Sequence, residues 1–114
     1  MHRDLPTTEW TAVCGVEDIL PDTGVCALLR GEQVAIFRLS ANDNLYAIGN
    51  VDPHSGAAVL ARGLVGSLGE RIVVASPIYK HHFDLRTGEC LEAPDTSVPA
   101  YAVRVDEGKV WVRA

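Results

Sequence analysis

No apolar stretch in this sequence of 114 residues approaches the ~20 residues that a membrane-spanning helix requires. The N-terminus, Met1-His2-Arg3-Asp4-Leu5-Pro6, lacks the apolar segment of a secretory signal. A soluble, cytoplasmic protein with no membrane partner is the expectation. Basic charge is also short: ten Lys plus Arg stand against fifteen Asp plus Glu, a net −5. A phosphate backbone needs a basic footprint, so nucleic acid is not an expected partner. Cysteines number three, Cys14, Cys26 and Cys90. They are odd in number, widely spaced and outside any C-x-x-C pair, which argues against a disulfide framework and for buried, unreactive thiols. Repeats, low-complexity stretches and interdomain linkers are absent as well. What remains is 47% apolar and 22% charged residues, the balance of one globular domain able to bury its own core.

The pattern along the chain is of short strands divided by turn residues. Gln33–Leu39 and Leu45–Ile48 flank Ser40-Ala41-Asn42-Asp43-Asn44 and predict a first hairpin. Arg71-Ile72-Val73-Val74-Ala75 reads as a strand buried on both faces. His82–Leu85 and Cys90–Glu92, around the turn Arg86-Thr87-Gly88-Glu89, predict a second hairpin. Tyr101–Val105 and Lys109–Val112, around Asp106-Glu107-Gly108, predict a third. Helical signal is confined to one turn over Val16–Leu20. Strands at this spacing imply an all-β domain, a small antiparallel sandwich or barrel.

Two loops carry the chemistry-bearing residues. The first is Asn50-Val51-Asp52-Pro53-His54-Ser55-Gly56-Ala57-Ala58 and the second runs from Ala75 through Ser76-Pro77-Ile78-Tyr79-Lys80-His81-His82 to Gly88. Together they hold three of the four histidines. Loops fixed on a rigid scaffold are where sites are commonly built. His81 and His82 are adjacent, so on a strand they point to opposite faces and at most one can join His54. The glycines at 63, 66 and 69 lack the following Lys-Ser/Thr of a phosphate loop and read as turn residues. Trp10 and Trp111 read as core or edge packing.

The second loop, with Phe83-Asp84-Leu85-Arg86-Thr87-Gly88 after it, resembles the second loop of a Rieske iron–sulfur domain, C-P-x-H-G continuing into F-D-L-x-T-G. Asp52-Pro53-His54 stands where such a domain has C-x-H. The resemblance runs from about Trp10 to Val112 and implies a Rieske-like fold with both loops at one tip. It also sets the four ligand positions as Asp52 and Ser76 for the thiolates, His54 and Tyr79 for the imidazoles. Carboxylate and hydroxyl oxygens are hard ligands that replace thiolate poorly on sulfide-bridged iron, so no [2Fe–2S] cluster is expected.

Gly49–Ala57, Ala61-Arg62-Gly63-Leu64-Val65-Gly66 and Ala75–Lys80 together are similar to a narrower family. That family is the small subunit of the assimilatory NAD(P)H-dependent nitrite reductase. The resemblance implies a non-catalytic subunit without cofactor, metal or catalytic residues of its own. Its partner would be a large subunit with FAD, a [4Fe–4S] cluster and sirohaem, which reduces nitrite to ammonium. Pro53, His54, Tyr79, Lys80 and His81 are then the candidate docking residues. Two roles stay open for Tyr79: an exposed anchor, or a filler of the void left by the cluster with its hydroxyl on Asp52 or Ser76. Pro53, Pro77 and Tyr79 are expected to pack the loops in place of the cluster. The rival readings are a stand-alone binding or regulatory module and a ferredoxin-type electron carrier.

Overall fold

A computed structural model of the protein describes residues 10–40 and 44–113. Nine strands run in chain order: β1 (Trp10–Gly15), β2 (Thr23–Leu29), β3 (Glu32–Arg38), β4 (Leu45–Gly49), β5 (Leu64–Leu68), β6 (Arg71–Ala75), β7 (His82–Asp84), β8 (Ala100–Asp106) and β9 (Lys109–Arg113). Three single 3₁₀ turns, Val16–Asp18, Leu60–Arg62 and Pro94–Thr96, are the helical elements among the described residues. None of them is long and apolar enough to cross a membrane. A six-stranded sheet has the order β1-β9-β8-β4-β3-β2, and a three-stranded sheet the order β5-β6-β7. Every pair is antiparallel.

The continuous apolar run of β3 follows from its position between two cores. Ala35 and Phe37 point into one cluster with Ile48, Leu60, Val74, Phe83 and Leu85. Val34 and Ile36, alternating with them, point into another with Ile19, Ala47, Val110 and Val112. A strand covered on both faces loses the polar–apolar alternation, and all four of these side chains are 0% exposed. The first core lies between the two sheets and carries the loops of interest on its rim.

The all-β class and the hairpins β3–β4 and β8–β9 match expectation. The second hairpin is smaller than expected: β7 stops at Asp84, and Cys90 makes only an isolated bridge to Phe83. Asp84 explains this, because its carboxylate Oδ1 accepts the backbone N–H groups of Arg86 and Thr87 at 2.7 and 3.2 Å and curls the chain into a turn. β1, β2 and β5 carry weak strand signal, being half exposed, with glycine inside β2 and β5 and at the end of β1. Only Cys90 meets the expectation of a buried thiol; Cys14 is half-buried and Cys26 exposed. Cys26 alternates outward on β2, the sheet's terminal strand.

Candidate functional site: a hydrogen-bonded tip in place of a ligand set

The two loops meet, as the resemblance implies. The first leaves β4 and is closed on itself by Asp52 N–H to the Ala57 carbonyl at 2.8 Å and Gly56 N–H to the Asp52 carbonyl at 2.7 Å. The second leaves β6 and is closed by Ser76 N–H to the His81 carbonyl at 2.9 Å and Lys80 N–H to the Ser76 carbonyl at 3.0 Å. Asp52 and Ser76, the two positions of the thiolates, are both 0% exposed. They are spent on each other: Ser76 Oγ donates to Asp52 Oδ2 at 2.5 Å. Asp52 Oδ1 accepts the backbone N–H of His54 at 2.8 Å. A buried carboxylate needs such donors, and the pair ties one loop to the other across 24 residues of sequence.

The imidazole positions diverge. His54 is half-buried and stacks on His81, ring centroids 3.8 Å apart and planes 9° from parallel. Thr96 Oγ1 donates to the Ala93 carbonyl at 2.9 Å. It therefore accepts from the His54 ring at 3.1 Å, which puts that ring's proton on Nε2. Cys90 Sγ lies 3.6 Å from the same nitrogen. Sequence separation hides both neighbours, 36 and 42 residues away, and no local pattern would have found them. His82 leaves in the other direction, its Nδ1 2.6 Å from Glu92 Oε2, so only one of the adjacent histidines joins His54. The half-exposed Glu92 carboxyl loses some solvation, which alone would raise its pKa. The hydrogen bonds from the His82 backbone and ring outweigh this and hold it below the ordinary value.

Tyr79 is 58% exposed, edge-on to His81 at 6.4 Å, and Pro53 and Pro77 are exposed too. The expectation that these three pack the loops is therefore corrected. The space between the loops is taken instead by the Asp52–Ser76 hydrogen bond and the His54–His81 stack. Ile78, 43% exposed, joins Tyr79 on the surface, a residue that sequence reasoning did not single out.

Lys80 has φ +65°, and it stands where the Rieske pattern has glycine. An L-residue in the left-handed region costs about 1–2 kcal/mol. Glycine there adds about 0.4–1 kcal/mol of unfolded-state entropy. Lys80→Gly is thus expected to raise stability, by up to about 1 kcal/mol, measurable by urea unfolding.

The hairpin turn beyond the loop is fastened independently. Gly88 N–H donates to the Asp84 carbonyl at 2.7 Å, and Val98 N–H to the Gly88 carbonyl at 2.9 Å. Arg71 reaches Glu89 at 2.6 Å and Asp84 at 3.6 Å. F-D-L-x-T-G thus has a purely structural basis, which explains why it stands beside loops lacking cysteine. As a donor set for a cluster, the tip offers two mutually bonded hard oxygens where two soft thiolates are needed. Its single nearby thiol, Cys90, is buried in the core. These residues do not fit the group.

Comparison with known proteins agrees with the fold. The family model described as a Rieske-like [2Fe-2S] domain matches residues 9–113. The nitrite reductase (NADH) small subunit of Salmonella typhimurium is 47% identical over 106 residues, covering 93% of this chain and 98% of that one. The solution structure of NirD from Escherichia coli superposes with a TM-score of 0.87 at 46% identity, covering 94% of this chain and 97% of that one. A nitrite reductase [NAD(P)H] large subunit from Klebsiella oxytoca is 41% identical over 108 residues, 95% of this chain but 11% of that protein. The chain belongs to the Rieske-like domains and, among them, to the nitrite reductase small subunits.

Proposed function

We propose that this chain is the non-catalytic small subunit of a cytoplasmic NAD(P)H-dependent nitrite reductase serving nitrate assimilation. It carries no [2Fe–2S] cluster and docks its loop tip on the large subunit, where nitrite is reduced to ammonium with FAD, a [4Fe–4S] cluster and sirohaem. The carrying observation is the Asp52–Ser76 hydrogen bond, fully buried at the two thiolate positions. The Klebsiella large subunit supports the partner, since a domain of this kind occupies 11% of that longer chain. An electron-carrier reading requires iron ligands that the tip lacks. Protein purified anaerobically is expected to be colourless, with iron and acid-labile sulfide well below one per chain. About two irons per chain, the content of a [2Fe–2S] centre, with visible absorption overturns the clusterless reading.

The docking surface comprises Pro53, His54, Tyr79, Lys80 and His81, to which the exposed Ile78 is added. Aromatic anchors carry a large share of interface energy. Because Tyr79 is 58% exposed, Tyr79→Ala is expected to leave stability within about 0.5 kcal/mol. Its affinity for the large subunit should fall at least tenfold, about 1.4 kcal/mol. Calorimetric titration and thermal unfolding of the same variant check the two halves. Wild-type affinity in Tyr79→Ala removes the ring from the interface.

A further inference from the structure

An exposed edge strand invites pairing with another chain, and folded proteins blunt such edges. Four strands end a sheet here: β1, β2, β5 and β7. β7 is covered by residues 89–91, through Asp84 N–H to the Glu89 carbonyl at 2.8 Å and Leu91 N–H to the His82 carbonyl at 2.9 Å. The β1 ladder is broken by a bulge between Ala12 and Cys14. β2 lies against the 3₁₀ turn Leu60–Arg62, with Gly24 set close to the Ala61 carbonyl. β5 has none of these devices. Its five residues, Leu64-Val65-Gly66-Ser67-Leu68, contain no charge and no proline, and their register with β6 is unbroken. Among the described residues, no backbone group outside the β5–β6 ladder hydrogen-bonds to this strand.

The strand's two faces differ. Val65 packs towards the core with Val74 and Ile72. Leu64, Gly66 and Leu68 take the opposite face, together with Ala75 and Val73 across the ladder. Leu64 is 78% and Leu68 45% exposed. Nothing lies within 4 Å of the position a Gly66 Cβ would occupy. The two leucines, Gly66, Val73, Ala75 and His82 therefore bound a shallow, open depression of about 210 Å³.

We propose that β5 is a second docking element, along which an extended, uncharged segment of the large subunit adds as a further strand, seating one apolar side chain over Gly66 between Leu64 and Leu68. The inference rests on the small-subunit reading. Three observations favour this occupant. Leu64 pairs with Ala75, the residue before Ser76, so the edge continues directly from the proposed tip interface. The depression itself is lined mostly by apolar side chains, with His82. The His82 ring is bonded to Glu92, and the neighbouring Arg71 is committed to Glu89 and Asp84, which suits an uncharged segment. A second copy of the chain would bring a further net −5 to meet −5, which opposes self-pairing.

The test uses the full chain and its cognate large subunit, with Leu64→Glu and Gly66→Val as separate variants. Leu64 is solvated and Gly66 has open space above it, so both variants should keep Tm within about 2 °C of wild type. Each is expected to lose at least tenfold in affinity for the large subunit. Hydrogen exchange of the 64–68 amides should slow on complex formation in wild type, the signature of strand pairing rather than side-chain contact. If wild type binds and both variants bind equally well, or if 64–68 exchange unchanged in the complex, the β5 proposal is overturned and the subunit reading stands. A wild type that does not bind the large subunit overturns both. Concentration-dependent dimers in sedimentation that Leu64→Glu dissociates assign the edge to a second copy and overturn the proposed occupant.

Discussion

Gly88→Ala is expected to destabilise the protein by about 3–5 kcal/mol and to lower Tm by more than about 10 °C. Gly88 has φ +82°, and a Cβ built on it overlaps the Val98 carbonyl oxygen, with the Pro99 backbone carbonyl carbon 3.3 Å away. The left-handed conformation alone costs an L-residue about 1–2 kcal/mol. The overlap adds more, because the obstacle is backbone and cannot rotate aside. Val98 cannot retreat either: its amide is bonded to the Gly88 carbonyl at 2.9 Å and its side chain is 7% exposed in the first core. The clash is thus relieved only by opening the turn that Asp84 and Arg71 hold. Far-ultraviolet circular dichroism with thermal unfolding measures the loss. A variant within 1 kcal/mol of wild type on the order-of-magnitude scale for surface changes would mean that residues 86–99 yield without cost.

That glycine also marks where sequence reasoning reaches its limit. Phe83-Asp84-Leu85-Arg86-Thr87-Gly88 is legible because its requirements are local: a carboxylate that accepts the next amides and a residue free to take positive φ. The hairpins β3–β4 and β8–β9 are legible for the same reason, β-branched runs around short polar turns. What escapes is set by tertiary neighbours. Nothing near Thr96 or Cys90 in sequence announces that they will meet the His54 ring at 3.1 and 3.6 Å. Tyr79 is an aromatic ring two residues after Pro77, and whether it turns in or out depends on how Asp52, Ser76 and the histidine stack fill the space between the loops. β5 is harder still, since half-exposed Leu-Val-Gly-Ser-Leu has neither the alternation of a one-sided strand nor the solid apolar run of β3.

Asp52→Ala is expected to cost about 2–4 kcal/mol, because it leaves the buried Ser76 hydroxyl and the half-buried His54 amide without their acceptor. Ser76→Ala removes a donor from a carboxylate that is itself 0% exposed, and about 1–3 kcal/mol is expected. The double variant Asp52→Ala, Ser76→Ala separates a tie from two independent polar residues. If the pair acts as one unit, removing both partners costs less than the sum of the single losses, with a coupling of about 1–3 kcal/mol. Additive losses would mean that each side chain serves its own loop and that nothing crosses between them. The functional consequence follows from where the tie sits. His54 donates its amide N–H to Asp52 and stacks on His81 of the loop that Ser76 begins, so cutting the tie frees the histidine stack to separate. Large-subunit affinity should then fall in Asp52→Ala at temperatures well below its Tm, where the domain is still folded. Tyr79→Ala would weaken binding by removing a contact, whereas Asp52→Ala would weaken it by loosening the surface that presents the contact. Faster exchange of the 52–57 and 76–81 amides in Asp52→Ala, and not in Tyr79→Ala, distinguishes the two. Unchanged loop exchange in Asp52→Ala would return the role of holding the tip to the scaffold strands β4 and β6.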